Sequence, residues 1–419
     1  MNSYIQRGLL TLETMSRLKR SGMLNPATGS LLLRTQIRHD PTKEIETLEE
    51  VLAVSQMFAG SPFPLPDESI DGPLRFALTE KNQPVGLYPE ECHVLIAGQT
   101  GSGKSTMIKI IFTQALMQEG NTIWMFVKSQ EMRPLLAVEQ DIIVTDFKNI
   151  RINIFEPPPG IPVMDWTSII ADILIQAFRL YDGSKNYIIH CLRRLYELFS
   201  EKGYYPSVID LYQYVKAQKY PPQSRTARYQ ESILNRIGGL IYSSLGPVLD
   251  CSRGHTLGLV NNHAIFEILF LTAEHQVLMV NYLMSYLYIY KQFNETCTKH
   301  LIALDDANIL FDASYEKRPD IGLPIIHHLL TTVRKSNISI YACTQTPHQI
   351  GSSIHSNSFA KIMFALSNGL DIEFMQKSMG IIDPAQKAYC YKLMPREVIV
   401  KFSSRYLEPF PATVPEVPL

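Results

Sequence analysis

The stretch His93-Val-Leu-Ile-Ala-Gly98-Gln99-Thr100-Gly101-Ser102-Gly103-Lys104-Ser105-Thr106 decides the fold of this chain. An apolar run over 94–97 suits a buried strand, the pattern Gly-x-x-x-x-Gly-Lys-Ser follows at once, and Met107-Ile-Lys-Ile-Ile-Phe-Thr-Gln-Ala-Leu-Met continues as an amphipathic helix. Gly98, Gly101 and Gly103 let the backbone curl so that its N–H groups and the helix N-terminus face an anion, which a β-carbon would hinder. In such a loop Lys104 meets the β- and γ-phosphates and the Ser105 hydroxyl ligates Mg²⁺. Residues 98–106 are therefore expected to bind a nucleoside triphosphate, with ATP and Mg²⁺ as the cofactors.

Hydrolysis needs acids and a group that senses the γ-phosphate. Leu301-Ile-Ala-Leu-Asp305-Asp306 is an apolar strand ending in two carboxylates, which suits Asp305 to the metal and Asp306 to polarising the attacking water. Taken alone, Asp after a strand is equally what a turn or helix cap prefers. Ser336-Asn-Ile-Ser-Ile-Tyr-Ala-Cys-Thr-Gln345 is a further strand, and its closing Gln345 falls where open α/β sheets place ligands. Gln345 is expected on the γ-phosphate or the attacking water. Arg334 stands eleven positions earlier, at the other end of that strand. At about 3.3 Å per extended residue it is too far to serve its own phosphates, so it is expected to reach a neighbouring subunit's site in trans.

This order of motifs resembles the FtsK–HerA superfamily of P-loop motors, which includes the coupling ATPases of type IV secretion. The resemblance covers most of residues 83–419 and rests on Gly98 to Ser105, Asp305-Asp306, Arg334, and Gln345 before Pro347. Ile152-Asn-Ile-Phe-Glu-Pro is similar to the family's segment after the second strand, and Pro395-Arg-Glu-Val-Ile-Val-Lys-Phe with Pro409-Phe-Pro to its closing strands. The resemblance implies an α/β, RecA-like core whose central, mostly parallel sheet is flanked by helices and carries the sensor strand between those of the phosphate loop and the acids. It also implies a homo-oligomeric ring, a hexamer, acting on DNA. Three departures stand out. The family usually carries Asp-Glu where this chain has Asp305-Asp306, many relatives have an acid where Lys128 ends Trp124-Met-Phe-Val-Lys128, and the HerA barrel and coupling-protein membrane helices have no evident counterpart.

Composition sets further bounds. With 419 residues, 46% hydrophobic and 19% charged, the chain has core enough for two or three domains, and a net charge of −1 gives no bulk affinity for nucleic acid. Basic groups for DNA would have to be confined to a pore. Six scattered cysteines without paired metal spacing read as reduced thiols. The start, Met1-Asn-Ser-Tyr, is polar, and the most apolar long stretch, 264–290, is broken by Glu267, Glu274, His275, Gln276 and Asn281. A buried strand over 264–271 and an amphipathic helix over 274–290 account for it, so the expectation is a cytoplasmic protein without an integral membrane segment.

Composition breaks divide the chain into a helical arm and Pro-rich linker (1–82), a first core segment with the phosphate loop (83–160), an all-α insertion (161–253) and a second core segment (254–419). Helical periodicity runs through 166–180, 184–200, 207–217 and 225–245. Within it, Arg193, Arg194, Arg225 and Arg228 are candidates for an acidic partner, as is the cluster Arg17, Lys19 and Arg20 in the arm. Three functions remain open: an ATP-driven DNA translocase, an ATPase that energises a type IV secretion or conjugation-like assembly through its helical domain, and a nucleotide-gated scaffold with little hydrolysis.

Overall fold

The computed structural model describes residue 30 and residues 61–416, apart from 65, 92, 181, 295, 297 and 315–336. In chain order the strands are β1 (Leu74–Leu78), β2 (Pro84–Leu87), β3 (Val94–Ala97), β4 (Asn121–Val127), β5 (Ile143–Thr145), β6 (Ala264–Glu267), β7 (Lys299–Leu304), β8 (Ile338–Thr344), β9 (Ala360–Met363), β10 (Glu397–Phe402) and β11 (Phe410–Thr413). They form one sheet in the order β2-β1-β11-β10-β9-β3-β8-β7-β4-β6-β5. From β9 to β5 neighbouring strands are parallel, and from β9 outward through β10, β11, β1 and β2 they are antiparallel. The chain thus has the α/β fold expected, with the Gln345 strand between the strands of the phosphate loop and the acids.

The parallel strands are predominantly apolar because both faces are covered, and alternate residues serve opposite faces. Val94 and Ile96 of β3 join a core with helix α1 (Lys104–Leu116), whereas Leu95 and Ala97 join the core beneath the other helices. Strand β4 repeats the division: Ile123, Met125 and Val127 face α1, and Trp124 and Phe126 face away. Helix α1 presents Met107, Ile108, Ile111, Phe112 and Ala115 at the i, i+4 spacing of a single buried stripe.

On the opposite face lie α2 (Val163–Phe178), α3 (Asp182–Phe199), α4 (Val208–Ala217), α5 (Arg225–Ile241), two short helices (Gly246–Leu249 and Thr256–Val260) and α6 (Ala273–Phe293). Buried polar contacts join them to the segment after β5. Trp166 donates its indole N–H to the Ile154 carbonyl at 3.1 Å, Tyr196 donates to that of Phe155 at 2.6 Å, and Tyr282 donates to that of Asn153 at 3.3 Å. These bonds anchor the helices to a buried backbone stretch and give the Ile154 and Phe155 carbonyls their hydrogen-bond partners.

The structure corrects three details. The run over 264–271 is not one strand: β6 ends at Glu267 because its partners β4 and β5 end opposite, at Val127 and Thr145. The helix that follows is not amphipathic, for ten consecutive residues, Leu278 to Leu287, are buried. Trp166 packs edge-on against both Tyr282 and Tyr286, and the helix is enclosed between the sheet and α2. The stretch to residue 82, expected as arm and linker, contains β1, which pairs with β11 and β2.

Candidate nucleotide site

The phosphate loop springs from the carboxyl end of β3, where Ala97 is in register with Thr344 of β8 and Met363 of β9. Backbone bonds hold its first residues: Gly98 N–H donates to the Thr344 carbonyl at 3.0 Å and Gln99 N–H to that of Ala365 at 2.9 Å. On its far side Arg396 N–H donates to the Ser102 carbonyl at 2.8 Å. Gly103 caps α1 with φ of 112°, in the left-handed half of backbone space. A β-carbon on Gly98 would lie 2.6 Å from Phe364 Cβ and from Ser102 Oγ, so that residue is held to glycine by contact.

Lys104 begins α1 and is buried, with 8% of its surface exposed. Its ammonium donates to the carbonyls of Gly98 at 2.5 Å and Gln99 at 2.9 Å. Burial lowers its pKa, opposed by Cys343 and by Asp305. A buried cation compensated mainly by dipoles fits the place of an anion. Ser105 and Thr106 occupy the first turn of α1, both half-buried, and Thr100 and Gly101 are exposed at the loop tip.

Asp305 follows β7, its N–H bonded to the Phe126 carbonyl at 3.0 Å. Burial raises its carboxyl pKa, the Lys128 N–H and Lys104 oppose that rise, and Glu131 and Asp306 add to it. Such a carboxylate suits a divalent cation. Magnesium is held through one or two carboxylates together with substrate phosphates, so Asp305 and Ser105 fit it without an all-protein cage. Among the described residues no cluster of three or more His, Cys, Asp or Glu side chains would hold a metal unaided, and the four described cysteines, Cys191, Cys251, Cys343 and Cys390, are free thiols.

Gln345 lies just beyond β8 and accepts a hydrogen bond from Thr100 Oγ1 at 3.0 Å, so the expected sensor touches the phosphate loop. Asp306 approaches from β7, with Oδ2 2.6 Å from Lys128 Nζ. Lys104, Thr100, Asp305, Asp306 and Gln345 thus gather around the carboxyl ends of β3, β8 and β7. Arg334 lies outside the described residues.

Three contributors were given no role at the site from sequence. Asn308 joins the acid loop to the sensor strand: its Oδ1 accepts from Thr344 Oγ1 at 2.9 Å, and its Nδ2 donates to Thr346 Oγ1 at 3.1 Å. Arg396 backs the phosphate loop, and Lys128 pairs with Asp306. Only Lys128 left a trace in the sequence, as a cation where the family resemblance led us to expect an acid. In the helical region Arg193 and Arg194 both pair with Glu197, at 3.6 and 2.7 Å, so their charge is partly spent within α3.

Residues 76–158 match the family described as the central domain of helicase HerA. No curated protein sequence matches the chain. Among solved structures it is similar to VirB4 of Thermoanaerobacter pseudethanolicus, with a TM-score of 0.64 and 13% identity over 83% of this chain and 98% of that one. It is likewise similar to the bacterial conjugative coupling protein TrwBdeltaN70, with a TM-score of 0.62 and 12% identity over 85% of this chain and 97% of that one. A TrwB structure in complex with ADP and Mg²⁺ gives a TM-score of 0.62 and 13% identity over 85% of this chain and 96% of that one. Among the described residues no helix is long and apolar enough to cross a membrane. Residues 76–158, with the phosphate loop and its flanking strands, thus match the HerA central-domain family, and the overall fold is similar to the folds of VirB4 and TrwB.

Proposed function

We propose that this protein is an ATP-hydrolysing, ring-forming motor, a hexamer, that translocates DNA. The observation that carries the catalytic part is the convergence of Lys104, Asp305, Asp306 and Gln345 at the carboxyl ends of the adjacent central strands β3, β8 and β7. Lys104 and the loop N–H groups bind the β- and γ-phosphates, while Asp305 and Ser105 hold magnesium. Magnesium, when bound, neutralises charge that develops on the phosphate oxygens. Asp306 accepts a hydrogen bond from the attacking water and aligns it with the γ-phosphorus. Gln345 exchanges its bond to Thr100 for the γ-phosphate or that water, and so reports hydrolysis to β8. The Asn308 contacts to Thr344 and Thr346 carry the same change between the acid loop and the sensor strand. Arg334 completes a neighbour's site in trans, with groups in the ring's pore following the DNA backbone.

A second reading has its own support. The net charge is −1, and two of the helical region's arginines are engaged by Glu197. That favours a protein over a nucleic acid as the partner of the helices, as in an ATPase that energises a type IV secretion or conjugation-like assembly. One set of assays tests both readings: ATP turnover of wild type and Lys104→Ala, with and without duplex DNA across a salt series, and particle mass with a non-hydrolysable ATP analogue. Turnover abolished by Lys104→Ala and raised by DNA in a salt-sensitive way supports the translocase. Turnover indifferent to DNA supports the second reading, and wild-type turnover retained in Lys104→Ala sinks the catalytic assignment.

A further inference from the structure

Asp306 has both carboxylate oxygens engaged. Its Oδ1 accepts the backbone N–H of Asn308 at 3.1 Å, an ordinary consequence of the turn that follows β7. Its Oδ2 lies 2.6 Å from the ammonium of Lys128, which arrives from the end of β4, the strand paired with β7. The Lys128 backbone N–H also faces Asp305 Oδ2, at 3.4 Å. One residue therefore leans on both acids, and its charge occupies the oxygen that the turn leaves free.

A carboxylate oxygen held in a charge-assisted bond is a poor acceptor for water, and a 2.6 Å contact leaves no room for water between the two groups. The pair is nevertheless easily opened. The Lys128 and Asp306 side chains are 38% and 34% exposed, so solvent compensates much of the loss when they part. Lysine suits such a device, being a point charge on a flexible stem rather than a rigid fork.

We propose that Lys128 is a latch on Asp306, a positioning residue that keeps the carboxylate off the attacking water until a competing anion draws the ammonium away. The latch rests on the ATPase reading and names how that site is restrained. It also explains why a cation stands at this strand end. An acid there would repel Asp306 and leave it permanently free.

The test is steady-state turnover at saturating Mg·ATP, without stimulating partners, for wild type, Lys128→Met, Lys128→Gln and Lys128→Arg. Binding of a fluorescent ATP analogue and thermal unfolding are measured on the same preparations. Lys128→Met is expected to raise turnover about threefold or more, the factor to which a half-exposed ion pair amounts, with KM for ATP unchanged. Lys128→Gln should behave similarly and covers a Met variant that fails to fold, while Lys128→Arg, which keeps the charge, should return turnover towards wild type. Normal nucleotide binding with turnover at or below the wild-type rate in both uncharged variants overturns the latch and leaves the ATPase reading intact. Absence of nucleotide binding in wild type removes the ATPase reading, and the latch with it.

Discussion

Replacing Gly103 by alanine separates the two demands that the phosphate loop makes on its backbone. Gly103 holds φ at 112°, where a residue with a β-carbon pays roughly 1–2 kcal/mol. The new β-carbon would also lie 3.2 Å from Arg396 Cγ and 3.2 Å from Phe364 Cε1. Phe364 is fully buried and cannot retreat cheaply, and the Arg396 Cα, whose backbone is bonded to Ser102, lies 3.4 Å away, although the Arg396 side chain itself is partly exposed. Crowding of this kind in a packed region adds about 1–3 kcal/mol, so the total is about 2–5 kcal/mol. Gly120 supplies the control, because its φ is 83° and nothing lies within 4 Å of a β-carbon built there. Gly120→Ala should therefore cost only the backbone share of about 1–2 kcal/mol. Urea unfolding of wild type and both variants reads the difference, and titration with a fluorescent ATP analogue reads the site. Gly103→Ala should unfold at distinctly lower urea and lose nucleotide binding, whereas Gly120→Ala should keep it. If the two variants unfold at the same midpoint and both bind nucleotide as wild type does, the claim that the loop needs glycine at 103 for shape and packing is wrong.

Two other outcomes follow from particular side chains. Asp306→Glu should raise turnover if the shorter carboxylate limits water activation, and a fall measured at saturating Mg·ATP would mean that the surrounding geometry is adapted to Asp. His300 is buried, bonded through Nε2 to the Val260 carbonyl at 2.9 Å, and its pKa is lowered from 6.5 to about 3, chiefly by burial and then by Lys291. Because the folded chain resists protonation there, the His300 contribution is fully present above pH 6.5 and is lost as pH falls towards 3, by up to about 1.4 kcal/mol per pH unit. His300→Gln should flatten the pH dependence of the urea midpoint between pH 6.5 and 4, and an unchanged slope would show that other groups carry the acid sensitivity.

Much of the site was legible in the sequence because a phosphate loop is a local object. Its glycines, Lys104 and Ser105 sit within one strand–turn–helix unit, and the apolar runs of β3, β7 and β8 announce parallel strands covered on both faces. The helices α2 to α5 were readable for the same reason, since each carries its period in consecutive residues, whereas the closing pair β10 and β11 was expected from the family resemblance alone. Tertiary structure alone decided what faces what. Lys128 and Asp306 are 178 positions apart and meet because β4 and β7 pair in parallel register, Phe126 opposite Leu304. A slip of one residue would turn Lys128 to the other side of the sheet. The contact of Thr100 with Gln345, the Asn308 bonds to β8 and the support from Arg396 depend likewise on strand order, which no local pattern encodes. The enclosure of α6 has the same origin. A helix shows the residues it can bury, but only its neighbours determine how many of its sides they cover.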